Sequence, residues 1–304
     1  MKHLHIGGYG PGIVTVGGAG DEVLTRIAAP SFLAAHPSLP VLYAVGELAR
    51  GWLTAFEAGD KLAPLDERPS EGDSPCHVAV DPEGRLLAAA NYGDGTAVLY
   101  RLDSRGAFEG EPIVLRHQGS GPDPDRQQGP HAHQAVFHDG LLHVSDLGTD
   151  EIRRYRHDGT ALEPITLPPG TGPRHFAFAG SRLYVAGELD GSLTLIDGER
   201  RTTVPASRRE GPNGPSHLQL DGDLVYVANR GPDTISVLRA ADLSPVAEVP
   251  SGGRWPRHFA IHGDRMYVAN QRSGTVTAFT LDDGVPSPAG PTYEVESPAC
   301  VLIM

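Results

Sequence analysis

A proline, a variable residue and a histidine, followed by an alternating apolar strand, recur along this chain at nearly constant spacing. The clear copies are Ser74-Pro75-Cys76-His77-Val78-Ala79-Val80, Gly172-Pro173-Arg174-His175-Phe176-Ala177-Phe178, Gly214-Pro215-Ser216-His217-Leu218-Gln219-Leu220 and Trp255-Pro256-Arg257-His258-Phe259-Ala260-Ile261. Weaker copies are Pro30-Ser31-Phe32-Leu33, Pro130-His131-Ala132-His133 and Pro298-Ala299-Cys300-Val301. The prolines at 30, 75, 130, 173, 215, 256 and 298 are separated by 45, 55, 43, 42, 41 and 42 residues. Seven units of this length match the repeat of a β-propeller blade.

Within each unit the grammar is that of strands. A first strand leads to a short turn such as Ala179-Gly180-Ser181-Arg182. A second strand follows, as in Leu183-Tyr184-Val185-Ala186, Val225-Tyr226-Val227-Ala228 and Met266-Tyr267-Val268-Ala269. A polar residue, a Gly-containing turn and a third strand complete the pattern. The chain holds 38 glycines and 27 prolines in 304 residues, which breaks it too often for a helical bundle. The expected fold is all-β, a seven-bladed propeller over residues 1–304 as one domain without a linker. Its seventh blade is split: Pro298 to Met304 supplies the first strand and Met1 to Ile6 the next, which hides the sheet edges of an open array.

Composition narrows the functions such a ring can serve. No apolar run approaches the ~20 residues of a membrane span, and residues 1–8 carry no secretory pattern, so the expectation is a cytoplasmic protein without membrane contact. A net charge of −13 argues against nucleic acid, the basic clusters (residues 153–156, 200–201 and 208–209) being read as solvated edges. Lys2 and Lys61 are the only lysines, which nearly closes the Schiff-base chemistries. Cys76 and Cys300 cannot build a disulfide framework and read as small buried residues. Gly8-x-Gly10-x-Gly12 lacks the helix of a dinucleotide fingerprint and reads as a turn. His131 and His133 share a strand face but lack an evident third ligand, so no metal and no cofactor are expected.

Hairpin geometry gathers candidates on one rim. The turn near residue 181 sets Arg174 opposite Gly187 or Glu188, and the same construction sets Arg257 opposite Asn270 and His133 opposite Asp146. Histidines 77, 175, 217 and 258, with His133 aligned to them, recur too often to be catalytic and are expected to tie neighbouring blades together. The preceding position runs Ser31, Cys76, Ala132, Arg174, Ser216, Arg257, Ala299, so two arginines stand where small residues otherwise do and suggest a bound anion. Glu47, Asn91, Asp146, Glu188, Asn229 and Asn270 close the second strands, and Glu188 is the best carboxylate candidate among them. His131 is unique to its blade and follows the longest insertion, residues 116–129, which carries Arg126. A long loop on a rigid scaffold suits an active site.

Ser74-Pro75-Cys76-His77, Asn91-Tyr92-Gly93-Asp94-Gly95, Gly119-Ser120-Gly121-Pro122, Gln128-Gly129-Pro130-His131-Ala132-His133, Asp146-Leu147-Gly148-Thr149-Asp150 and Gly172-Pro173-Arg174-His175 together resemble the seven-bladed lactonase family. That family contains propeller-type 6-phosphogluconolactonases and fungal-type 3-carboxy-cis,cis-muconate lactonizing enzymes, and the resemblance covers essentially the whole chain. It implies a catalytic set of a histidine, two arginines and a glutamate, which fall on His131 (or His133), Arg174, Arg257 and Glu188, the residues the rim argument also selects. His133, Asp146, Asn270 and Arg126 are expected to contact the substrate. A lysine common before the last Pro-Arg is replaced here by Arg254-Trp255, a change at the rim that would narrow it or stack.

The expected activity is hydrolysis of a lactone of an anionic small molecule, most closely 6-phosphogluconolactonase-like. The arginines would hold the anion and stabilise the oxyanion, and Glu188 and His131 would share general base and acid roles. The alternatives are the cycloisomerase reaction of the muconate enzymes and a non-catalytic ligand-binding or scaffolding propeller. Trp52 precedes Leu53 and Trp255 precedes Pro256, so the Trp-Asp signature of one scaffolding class is missing.

Overall fold

The computed structural model describes residues 3–17, 20–59 and 61–304; Met1 and Lys2, where the expected closing strand begins, lie outside them. Seven four-stranded antiparallel sheets follow in chain order, six built from consecutive strands and the seventh from both ends of the chain. In that closing sheet Pro298–Ile303 is innermost and pairs with Leu4–Gly8, followed by Gly12–Val16 and Glu22–Arg26. The inner strands touch in sequence around a ring, the last meeting the first. The fold is thus an all-β seven-bladed propeller, interrupted among the described residues only by the single 3-10 turn Gln271–Ser273. No helix among them is long and apolar enough to cross a membrane.

Burial follows position in the blade. Second strands such as Val41–Gly46 and Leu224–Arg230 are buried along their whole length, because blades cover both faces, and they read as continuous apolar runs. Outer strands such as Glu22–Arg26 and Arg200–Pro205 alternate between exposed and half-buried residues. Apolar side chains form one cluster at each of the seven junctions between blades. Tyrosines in the second strands cross these junctions: Tyr43 donates to the Gly106 carbonyl (2.7 Å), Tyr184 to Ala240 (2.7 Å) and Tyr226 to Gly284 (2.8 Å).

A β-bulge near the start of six of the seven inner strands sets up everything at the rim. The proline (Ala132 in one blade) pairs with the last residue of the second strand, or with the next-to-last, Asn229, in Leu224–Arg230, and an extra residue then intervenes before pairing resumes. The extra residues are Cys76, His133, Arg174, Ser216, Arg257 and Ala299, a position that re-aims a side chain out of the ladder. The residues after the bulge, with Phe32 from the blade that lacks one, meet on the axis. Rings from blades that are not neighbours touch there: Phe32 and His258 lie 5.2 Å apart, and His77 and His175 5.4 Å.

These inner residues do tie the blades. His77 Nδ1 accepts from the Ala135 N–H (3.4 Å), His258 Nδ1 from Val301 (3.3 Å), and His175 and His217 share a hydrogen bond of 2.8 Å. In the blade between those of His77 and His175 this position is Gln134, accepting from the Phe176 N–H at 2.6 Å. His133 therefore does not belong with the tying histidines; an offset of one residue moves it to the bulge, level with Arg174 and Arg257.

Candidate active site

The bulge residues floor a cavity at one mouth of the ring. Its volume is about 280 Å³, and its lining is Tyr9, Glu47, Cys76, Tyr92, Arg126, His133, Arg174, Glu188, Arg230 and Arg257. Two registers supply most of these. Cys76, His133, Arg174 and Arg257 come from bulges, whereas Tyr9, Glu47, Tyr92 and Glu188 each follow the residue that closes a second strand and Arg230, at the equivalent position, ends its own. Arg126 descends from the long loop between blades, which Gln127 anchors by donating to Leu147 O (2.8 Å) and Asp150 Oδ1 (2.9 Å). A larger groove of about 500 Å³ lies away from this mouth, against the outer strands Arg200–Pro205 and Pro245–Pro250, and its charged lining, Arg208, Arg209, Glu210 and Glu248, balances rather than leaving an excess of positive charge.

Three guanidiniums surround one carboxylate. Arg126 Nη2 donates to Glu188 Oε1 at 2.7 Å, and Glu188 Oε2 is ion-paired with Arg174 Nε at 2.9 Å and Arg230 Nη2 at 2.7 Å. Burial alone would raise the Glu188 carboxyl, but Arg230, Arg174, His133 and Arg126 outweigh it and hold the group well below the usual carboxylate range. Arg174 also donates through Nη1 to the Ser216 carbonyl, and Arg230 through Nε to Gly214 O at 2.9 Å. Burial lowers Arg174 and Arg230, and crowding by other arginines adds to it while Glu188 opposes. The arrangement leaves the guanidiniums short of negative charge.

The other wall is a relay of neutral and charged groups. Arg257 Nη2 donates to Tyr9 Oη at 3.0 Å, and Tyr9 donates to Glu47 Oε2 at 2.9 Å. Burial, reinforced by Glu47, raises the Tyr9 hydroxyl above its ordinary value despite Arg257. Burial pushes the Cys76 thiol up, and it holds the His133 imidazole well below its ordinary value, with Arg174 adding to the effect. Trp255, beside the mouth, takes a left-handed φ of 65°, an outlier for a bulky side chain. Its indole is stacked by Arg272 at 3.4 Å and approached by Arg230 at 5.5 Å.

The family described as seven-bladed β-propeller lactonase matches residues 19–303. A 6-phosphogluconolactonase of Bacillus subtilis is 30% identical over 261 residues, covering 77% of this chain and 74% of that protein. Among solved structures, a periplasmic gluconolactonase of Pseudomonas aeruginosa superimposes with a TM-score of 0.89 at 25% identity, covering 99% and 98% of the two chains. A Lactobacillus plantarum protein gives 0.89 at 26% identity over all of both chains. The chain belongs to the seven-bladed β-propeller lactonase family.

In this lactonase the cavity brings together Arg174, Glu188, Arg257, His133 and Arg126 from the sequence expectation. His131 is placed beside it: the ring stacks on Tyr92 at 4.5 Å and Nδ1–H donates to the Tyr92 carbonyl at 2.7 Å. Asp146 and Asn270 require correction as substrate contacts, since neither exposes any surface. Asp146 accepts from the His131 and Gly148 N–H groups (2.8 and 3.0 Å) and from His117 Nδ1–H (2.6 Å), fixing the turn. Asn270 donates to Ser251 O (3.2 Å) and Thr277 Oγ1 (3.1 Å). Each pairs one residue short of its expected partner, Asp146 with Ala132 and Asn270 with Pro256.

That same offset hid Arg230, Tyr9 and Tyr92, while Glu47 was named beside Glu188 but passed over. The equivalent positions at the ends of the second strands are Gly8, Gly46, Asn91, Asp146, Gly187, Asn229 and Asn270, and Glu188 and Glu47 belong to the next position along. Aligning Glu188 with Arg230 and Tyr92 rather than with Asn229 and Asn91 would have found the lining from sequence.

Proposed function

We propose that this lactonase hydrolyses a phosphorylated sugar lactone of the 6-phosphogluconolactone class. The observation that carries this is the cavity's charge. Arg126, Arg174, Arg230 and Arg257 face Glu47 and Glu188, an excess of two positive charges in a chain of net charge −13. A phosphate monoester carries about −1.5 to −2 at neutral pH and offers three acceptor oxygens, matching that excess. Guanidiniums bind such groups with paired N–H donors. Arg257, half-buried and engaged by Tyr9 alone among the described residues, is the natural first contact for the anion. Arg174, deeper and floor-mounted, is suited to the oxyanion that forms as water attacks the lactone carbonyl. Glu188 serves as organiser of the arginines, its oxygens both committed. The 6-phosphogluconolactonase relative supports the phosphorylated substrate.

The compartment is read as the cytoplasm, where free thiols such as Cys76 and Cys300 stay reduced; recovery of the native protein from a periplasmic or extracellular fraction would overturn this. The substrate assignment is tested by comparing 6-phosphogluconolactone with unphosphorylated gluconolactone, each above its spontaneous rate. The phosphorylated lactone is expected to show kcat/KM at least about 100-fold higher, with Arg257→Ala removing most of the difference. Equal turnover of the two lactones would reject the anion site.

A further inference from the structure

Hydrolysis requires a proton acceptor beside the attacking water, and most groups facing the cavity are unsuited to it. Glu188 is saturated by three guanidiniums and its basicity is suppressed accordingly. His133 is a buried imidazole held well below its ordinary range, which makes it a weak base. The Cys76 thiol is pushed up by burial and donates to the His133 carbonyl at 3.3 Å. The hydroxyls of Tyr9 and Tyr92 each accept from an arginine, Arg257 and Arg126.

Glu47 differs from all of these. It faces the cavity, and among the described residues it forms no ion pair. Oε2 accepts from Tyr9 at 2.9 Å, while Oε1 has no hydrogen-bond partner among those residues. Its Cα is pinned by the strand-closing Gly46 and by its own N–H, which donates to the Ala29 carbonyl at 3.0 Å. Tyr9 fixes the carboxylate and is itself fixed by Arg257, so the free oxygen sits at a set distance from an anion-binding guanidinium.

We propose that Glu47 is the general base of this site, oriented by Tyr9 and spaced by it from Arg257; the inference rests on the lactonase reading above. Glu47 Oε1 takes a proton from water as the water oxygen bonds to the lactone carbonyl carbon, and the carbonyl π electrons move onto oxygen beside the arginines. The tetrahedral species then collapses, the ring C–O bond breaks, and the proton returns from Glu47 to the departing alkoxide. One water is consumed, and a hydroxy acid is released that ionises in solution. Tyr9 is a positioning residue and exchanges no proton with the substrate.

The test uses the purified chain with 6-phosphogluconolactone, and calorimetric binding of the product 6-phosphogluconate as a readout independent of turnover. Glu47→Gln is expected to lower kcat by roughly 100-fold or more, with KM and product binding within about threefold of wild type. The acid limb of the wild-type pH–kcat profile, measured at saturating substrate, should vanish. Tyr9→Phe, which keeps the base but releases it, should lower kcat roughly tenfold, retain the acid limb, and serve as the test should Glu47→Gln not fold. A Glu47→Gln enzyme that keeps kcat within threefold, or that loses product binding together with turnover, would overturn the role of Glu47. Tyr9→Phe kinetics identical to wild type would overturn the positioning role. A wild type no faster than the spontaneous reaction would remove the lactonase reading itself.

Discussion

Glu188 is the residue on which the rim arginines depend. With Arg174 and Glu188 both nearly inaccessible and Arg230 little more exposed, the carboxylate neutralises charge that water cannot. Breaking such a cluster from one side leaves buried charge uncompensated, at a cost of about 3 kcal/mol or more. Glu188→Gln is therefore expected to lower the thermal midpoint by roughly 5 °C. Because the three guanidiniums would then lack their counter-charge, millimolar phosphate should raise the variant's midpoint more than the wild type's. Scanning both proteins with and without phosphate checks this, and equal phosphate responses would show that the arginines do not share the carboxylate as described. Trp255 shows how local the control is. The residue before the proline is left-handed in five blades, at Ala29, Ser74, Gly172, Trp255 and Ser297, yet only here does that place carry an indole held against two guanidiniums.

At the level of the blade, strand pairing explains which parts of the site can be read from sequence. The proline-histidine period and the tyrosine-containing second strands follow directly from residue pattern, and so does the pairing of the two chain ends. The bulge does not: it adds a residue without changing strand length or hydrophobicity, and a regular hairpin drawn through it places everything beyond it one position out. Arg174 and Arg257 were visible because charge at a normally small position stands out. Asp146 and Asn270 were mistaken for substrate contacts because the offset put them opposite His133 and Arg257. Loop 116–129 could be marked as important, but nothing in its sequence told that Arg126 would reach Glu188. The tyrosine bridges give an element-level prediction. Tyr184→Phe leaves the buried Ala240 carbonyl without its donor, at a cost of about 1–2 kcal/mol. The thermal midpoint should fall by roughly 2–4 °C with catalytic constants unchanged.

Across the whole molecule, the axis is filled by imidazoles that stay uncharged. Burial holds His77, His175 and His217 well below their ordinary value, and burial with Arg174 lowers His258 to about 3. The unfolded chain takes up protons at these rings below about pH 6.5, where the folded ring does not. The stability they allow is thus complete above that pH and is lost progressively as pH falls toward the folded-state values. Thermal midpoints measured from pH 8 to pH 5 should be flat at first and then decline below about 6.5; an unchanged midpoint at pH 5 would mean the rings are solvated. The split blade has a consequence for biosynthesis. Leu4–Gly8 emerges from the ribosome among the first strands, whereas Pro298–Ile303, its inner neighbour, is made nearly the whole chain later. At about 5–20 residues per second that interval is roughly 15–60 s. For all of it the closing blade lacks its innermost strand, so that edge stays unpaired, exposed to chaperones and proteases, until Pro298–Ile303 is made and fastens the ring.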